Sequence, residues 1–289
     1  MSYQVIDTHR MIGPVATLCR ALDVSVSGYY AWRGRGPSRR QQADAELVEH
    51  IRTVQQQGRG LYGSDRIYRI LRQQGIVCSR KRVARLMREH GLNSRRRRKW
   101  RARTTDSNHK RPVAPNLLDR QFTADGPDEK WLGDIVGIWT GEGWLYLAAL
   151  LDVFSRCIVG WAMSEKRDET LVENALHMAL ERRQIAPDRP LLHHTDRGSQ
   201  YTADDYLGLL AAHGIHVSMS RKADPYDNAM MESFFATLRA ELTELEDFST
   251  RAAARLAVFD YIEVFYNRQR VHTSIGYTDP TTYEQLHQT

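Results

Sequence analysis

Three carboxylates sit where their chemistry is informative. Asp134 lies inside an apolar stretch, WLGDIVGIW, Asp196 follows PLLHHT in HHTDRGSQY, and Glu232 falls within DPYDNAMMESFF. Burying a carboxylate among apolar neighbours is unfavourable unless it is paired or holds a cation. Hard cations such as Mg2+ take oxygen ligands and usually retain several waters. Three carboxylates gathered at strand ends could hold two such ions about 3.5–4 Å apart, one on an attacking oxygen and one on a leaving oxygen. Each of these residues alone reads more simply as a surface or capping carboxylate; their joint occurrence in patterned contexts favours the metal site. Zinc is disfavoured, because Cys19, Cys78 and Cys157 lie far apart and His193 and His194 lack further ligands at tetrahedral-site spacing. Strand packing is the better reading of the two histidines, while Asp152, which follows a strand, stays open between a fourth ligand and a structural role.

The elements that must position these residues follow from periodicity. Residues 131–139, 144–152 and 157–163 read as three strands, with GEG at 141–143 as a hairpin turn. A helix is expected over 170–183, a strand over 190–195, a helix over 203–213 ended by Gly214, a strand over 215–220 and a long helix over 228–245. The order βββαβαβα predicts an α/β layer architecture with a mixed sheet. Phe234, Phe235 and Leu238 beside Glu232 read as core.

Charge divides the chain. Residues 1–111 carry 25 basic against 8 acidic side chains, net +17, whereas residues 112–289 carry net −11. This asymmetry predicts a front end that binds a polyanion. Two helix-turn-helix candidates lie there. In VATLCRALDVSVSGYYAW, Val15, Leu18 and Cys19 have helical spacing and Ser25 or Ser27 is placed to cap a second helix. In YGSDRIYRILRQQGIVCSRKRVARLMREHG, Ser64 and Ser79 read as caps, Gly75 as the turn, and Val83, Leu86 and Met87 as the inner face. Lys81, Arg82, Arg85 and Arg88 then fall on the outer side, as on a recognition helix. From Asn93 to Ala124 the sequence lacks periodicity, contains Pro112 and Pro115 and reads as a linker, within which Arg95, Arg96, Arg97, Arg98 and Lys99 are placed to track a DNA phosphate backbone, to act as a basic tether, or both. The expected division is 1–92 helix-turn-helix region, 93–124 basic linker, and 125–289 catalytic core with a C-terminal helical extension. The longest apolar run, Trp144–Leu151, is far short of the ~20 residues of a membrane span. The start of the chain, with Asp7 and Arg10, does not read as a signal peptide. A cytoplasmic, nucleoid-associated protein is expected.

VSVSGYYAW, RGLYGSDRIYRIL, RKRVARLMREHGL, GWLYLAALLDVFSRCIVGW, HHTDRGSQYTADDY, YDNAMMESFFATLRAEL and YNRQRVHTSIGYTDPTTYE together resemble the second reading-frame product (OrfB) of bacterial insertion-sequence-three family transposases. That family belongs to the DDE transposase and retroviral integrase superfamily. The 35 residues between Asp196 and Glu232 match its D-D-(35)-E signature. The resemblance implies a ribonuclease H-like integrase catalytic core of α/β class, preceded by an all-α helix-turn-helix DNA-binding region. It implies Asp134, Asp196 and Glu232 as catalytic ligands of Mg2+, with Mn2+ able to substitute and two ions expected. It also implies double-stranded DNA as partner (terminal inverted repeats and target), a homo-oligomer on DNA, and an upstream reading-frame product as fusion or partner. No heptad zipper of the upstream kind is present in this sequence. Val136 and Gly137 stand where the family often has Thr and Tyr, and Ala223 where Gly is usual; none of these removes a ligand. Asn228 is placed to touch DNA or to cap its helix. Tyr266, Asn267, Arg270 and His272, from YNRQRVH, are placed either to contact DNA or to pack the last helix. The rival readings are a non-catalytic DNA-binding regulator, which predicts a lost ligand, and a ribonuclease H-like nuclease, which has no need of two amino-terminal binding motifs.

Overall fold

The computed structural model describes residues 2–94, 113–183, 185, 190–221 and 225–287. The basic run Arg95–Lys99, most of the expected linker, and Ala223 lie outside the described residues.

Alternation along the first strand decides which carboxylates can meet. Strand β1 (Lys130–Thr140) sends Leu132, Val136 and Ile138 into one apolar cluster, and Trp131 into a second against which Ile135 packs. The period of two puts Asp134 on the side of Leu132 and Val136. Strands β2 (Gly143–Asp152) and β3 (Ile158–Ser164) continue antiparallel from β1. On its other edge β4 (Leu192–Thr195) and β5 (His216–Met219) add in parallel, giving the order β3-β2-β1-β4-β5. The mixed sheet expected from the sequence is therefore present.

Among the described residues six helices precede the sheet. Helices α1 (Ser2–His9), α2 (Val15–Ala21) and α3 (Val26–Arg33) enclose a small cluster around Ile6, Cys19 and Tyr29. The Ser25 hydroxyl accepts the Gly28 amide and caps α3. Helices α4 (Arg39–Gln57), α5 (Ser64–Gln73) and α6 (Arg80–Glu89) form a second unit around Leu47, Ile51, Ile67, Leu71, Val83 and Leu86. The Ser79 cap and the turn at Gly75 (φ +79°) are as expected, but the α5 cap is Gly63, and Ser64 is already the first helical residue. Helix α4 has no counterpart among the elements expected from the sequence, although Ser38 and Gln41 close a capping box at its start.

After the sheet begins, α7 (Glu169–Arg182) and α8 (Asp204–Ala212) bury Leu171, Ala175, Tyr206 and Leu210 against the Trp131 side. On the Leu132 side lie α9 (Ala229–Leu238) and α10 (Arg251–Phe259), packed through Met231, Phe234, Phe235 and Val258. The long helix expected over 228–245 is divided: a 3-10 turn at Pro225–Asn228 precedes α9, and π-helical winding at Arg239–Thr243 follows it. Helix α11 (Pro280–His287) closes the described chain.

The C-terminal segment returns to the second helical unit. The Tyr62 hydroxyl donates to the Gln269 carbonyl (3.3 Å) and accepts the Val271 amide (3.0 Å). Gln73 donates to the Gly276 carbonyl, Arg59 pairs with Asp260, and Val271 packs on the α4–α6 cluster. No helix of the described residues is long and apolar enough to cross a membrane.

Candidate active site

Parallel pairing of β1 with β4 aligns Trp131 with His193 and Leu132 with His194. Two further steps along both chains bring Asp134 opposite Asp196, just beyond the end of β4. Gly133 makes the close approach feasible, since a Cβ there would lie 2.9 Å from the His193 ring. One oxygen of each carboxylate is fixed by backbone: Asp134 Oδ1 accepts the Ile135 amide (2.7 Å) and Asp196 Oδ1 the Gly198 amide (2.9 Å). Asp196 Oδ2 is buried and has no hydrogen-bond partner.

Burial and a neighbouring carboxylate dominate the electrostatics around Asp134. Burial first, and the Asp196 carboxylate second, hold the Asp134 carboxyl well above the usual carboxylate range; Arg167 opposes this. A desolvated Asp134 carboxyl near Asp196, whose Oδ2 is buried and orphaned, fits a hard divalent ion with oxygen ligands.

Glu232 occupies the first turn of α9, which packs on β1 from the Asp134 side. Its side chain is exposed, and its carboxyl is raised by partial burial and lowered by Arg239. Glu232 is close enough to bear on Asp134, as the weakest of the influences there. Among the described residues no three His, Cys, Asp or Glu side chains converge on one point where they could hold an ion. The structure thus brings Asp134 and Asp196 together and leaves Glu232 at the edge.

Asn228 precedes α9 but makes no side-chain cap; its amide donates to the Gly133 carbonyl (3.3 Å), tying the helix start to β1 beside Asp134. The expected capping is therefore not seen, and the side-chain amide is engaged by this inward bond. His193 pairs with the Tyr206 hydroxyl, and His194 lies between the Ser218 and Ser220 hydroxyls, both rings buried within the fold. Burial lowers His193 to about 3 and His194 to about 4, so both are neutral side chains of the strand. Asp152 is buried and accepts the Ser155 and Asp128 amides, shaping the turn after β2.

Sequence reasoning missed Arg167, Arg239 and Asp227. Arg239 follows Glu232 by seven residues, two helical turns, which was the available signal. Asp227 is fully buried and pulled down to about 2, chiefly by its bonds to Arg221.

The basic residues divide sharply. Lys81 and Arg88 are exposed on α6. Arg82 and Arg85, expected beside them on the outer face, both reach back to Asp44 of α4, at 2.6 and 2.7 Å. They hold two helices together, at the rim of a groove that Arg40 and Lys81 also line. Arg270 and His272 lie inside the molecule, 6% and 7% exposed, on the wall of a polar pocket rather than on the surface. Arg270 forms a two-pronged ion pair with Glu241 (2.7 and 2.8 Å). Asn267 bonds the Ile158 amide and carbonyl of β3, and Tyr266 belongs to the apolar core.

Comparison with known proteins places these features in a class. An integrase core domain family matches residues 124–225, an integrase core domain family also matches residues 213–280, and an HTH-like domain family matches residues 41–100. The chain is 43% identical over 272 residues to the insertion element IS600 uncharacterized 31 kDa protein of Shigella sonnei, covering 94% of this chain and 99% of that one. It is 40% identical over 286 residues to the transposase InsF for insertion sequence IS3A of Escherichia coli (strain K12), covering 98% of both. The chain belongs to the IS3 family of transposases, with an integrase core of ribonuclease H-like fold and an HTH-like domain. Among solved structures it is similar to a chain of the simian T-cell lymphotropic virus intasome (TM-score 0.47, 15% identity, 79% of this chain and 71% of that one). It is also similar to the HTLV-2 integrase catalytic core domain in complex with magnesium (TM-score 0.41, 15% identity, 55% and 97%).

Proposed function

We propose that this transposase binds the ends of an insertion sequence and catalyses metal-dependent strand cleavage and strand transfer. The observation that carries the reading is the desolvated Asp134 carboxyl close to Asp196, with Asp196 Oδ2 buried and without a hydrogen-bond partner. Asp134 and Asp196 are the residues that would hold Mg2+ or Mn2+, with Glu232 completing the set; the ions would supply Lewis-acid stabilisation of charge on the reacting oxygens. The chain's own part is positional. Backbone amides of Ile135 and Gly198 aim the two aspartates, Arg167 offsets their charge, and α9 presents Glu232 from the same side of the sheet.

The reaction is an in-line displacement at phosphorus. Water forms the new P–O bond as the bond to the 3′ oxygen breaks, and that oxygen leaves as a 3′ hydroxyl. The 3′ hydroxyl then attacks a second phosphodiester, whose leaving oxygen takes the proton, with no covalent protein–DNA intermediate. Lys81 and Arg88 hold DNA phosphates, with Arg82 and Arg85 beside them and the run Arg95–Lys99 following. Division at 93–124, assembly as a homo-oligomer on DNA, and an upstream reading-frame product as fusion or partner belong to the same proposal.

A regulator without catalysis would be expected to have lost a carboxylate, and none is lost. The deciding experiment is cleavage and joining of the native element ends with Mg2+, with and without the upstream product. Retention of both activities in Asp196→Asn would sink the assignment.

A further inference from the structure

A pocket of about 180 Å3 lies where the second helical unit meets the core, and its lining is almost wholly polar. Arg66 of α5, Arg156 of the turn between β2 and β3, Ser233 and Thr237 of α9, and Arg270 and His272 of the C-terminal segment face it. The charges do not balance. Arg270 is satisfied by Glu241. Arg66 and Arg156 have no ion pair to a carboxylate among the described residues, and Arg66 Nε is buried without a hydrogen-bond partner, its guanidinium lying over the Tyr62 ring. His272 contributes no negative charge. Its Nε2 accepts from Arg270 at 3.5 Å, and burial, with Arg270 next, depresses its affinity for a proton. Of the three guanidiniums, Arg270 alone has a carboxylate partner among the described residues.

A desolvated excess of positive charge is costly unless an anion offsets it. Guanidinium forks match tetrahedral phosphate oxygens two at a time, and the Ser233 and Thr237 hydroxyls add donors that adjust by rotation. We infer that this pocket binds one phosphate group, either a phosphodiester of the DNA backbone or inorganic phosphate. The DNA source rests on the function proposed above; the phosphate chemistry does not. A phosphate held there would join Arg66 of the helical unit to Arg156 of the core, beside the residue that follows Glu232.

The test uses the full chain. Thermal unfolding in inorganic phosphate, against chloride and acetate at equal ionic strength, should show Tm raised by about 2–4 °C in phosphate only. Arg156→Gln should lose that response. Ser274→Asp places a carboxylate on the pocket wall; it should raise Tm in chloride and also abolish the phosphate response, which covers the case in which Arg156→Gln folds poorly. A second arm measures duplex binding against salt. If the phosphate is that of DNA, Arg156→Gln lowers the slope of log K against log salt by about 1. Phosphate stabilisation with an unchanged slope assigns the pocket to inorganic phosphate. No phosphate-specific stabilisation together with an unchanged slope overturns the inference. Phosphate stabilisation in a chain that neither cuts nor joins DNA would remove the proposed function and leave the pocket standing.

Discussion

Helix α6 and the middle of strand β1 are both crowded with charge, yet they resolve it in opposite ways. On α6, Arg82 and Arg85 find Asp44 of a neighbouring helix, so their charge is paired at a partly exposed surface. At β1, Asp134 meets a second carboxylate, and Asp196 Oδ2 meets nothing. Opposite charges paired at close range are an explanation of stability. Like charges forced together in a desolvated corner raise the energy of the free protein, and such a corner points to a partner that arrives later.

The largest effect that would break this contrast is on chemistry. Asp134→Asn, Asp196→Asn and Glu232→Gln should each lower cleavage by well over about a hundredfold while leaving end binding largely intact. A variant that joins ends near the parent rate would show that the carboxylate is structural. Unfolding of the same variants sharpens the point. Without metal, Asp134→Asn removes the cost of burying this carboxyl, set first by desolvation and second by Asp196, and should raise Tm, whereas Glu232→Gln, at an exposed position, should leave it unchanged.

Metal dependence comes next. Exhaustive chelation should abolish cleavage and Mg2+ or Mn2+ restore it. Ca2+ prefers longer bonds and higher coordination, so it should support binding with roughly a hundredfold less chemistry. Full activity in chelator would return the aspartates to structural roles.

A smaller effect tests the paired side. Lys81→Ala and Arg88→Ala should each reduce the salt slope of duplex binding by about 1, weakening all sequences alike. If Arg82→Ala or Arg85→Ala gave the larger reduction, Asp44 would not be holding those side chains. The smallest expected effect is on stability. Asp44→Ala should lower Tm of the full chain by about 2 °C or less, because the pairs are partly exposed and screened by solvent. Arg85, then Arg82, depress the Asp44 carboxyl below its ordinary 3.8. Its contribution is therefore present above about pH 4 and fades as acid takes the pH through the lower folded value.

The strands, α7 to α9 and the helix pair α5–α6 were legible because each carries a local pattern. Asp134 was legible too, since an acid in an apolar strand conflicts with its surroundings. Helix α4 was passed over because Gln and charged residues dominate it, although Leu47, Val48, Ile51 and Val54 trace one face and Ser38–Gln41 marks its start. The fate of Arg82 and Arg85 was hidden, because Asp44 lies 38 and 41 residues away and only tertiary packing brings it near. Likewise, spacing alone relates Asp196 to Glu232 but says nothing of how far α9 stands from the pair. Arg270 carries the same charge as Lys81 in the sequence, and its burial depends on Glu241, which no local pattern announces.

The two bonds of the Tyr62 hydroxyl span 207 and 209 residues of chain. During synthesis the helical unit leaves the ribosome first and can form its own helices from local contacts, but this joint has no partners until Gln269 and Val271 have been translated. Its closure must come after the sheet and α9 have been made. The order of manufacture thus separates folding of the helical unit from its fastening to the core, and a nascent chain stalled before Gln269 would carry an unfastened one.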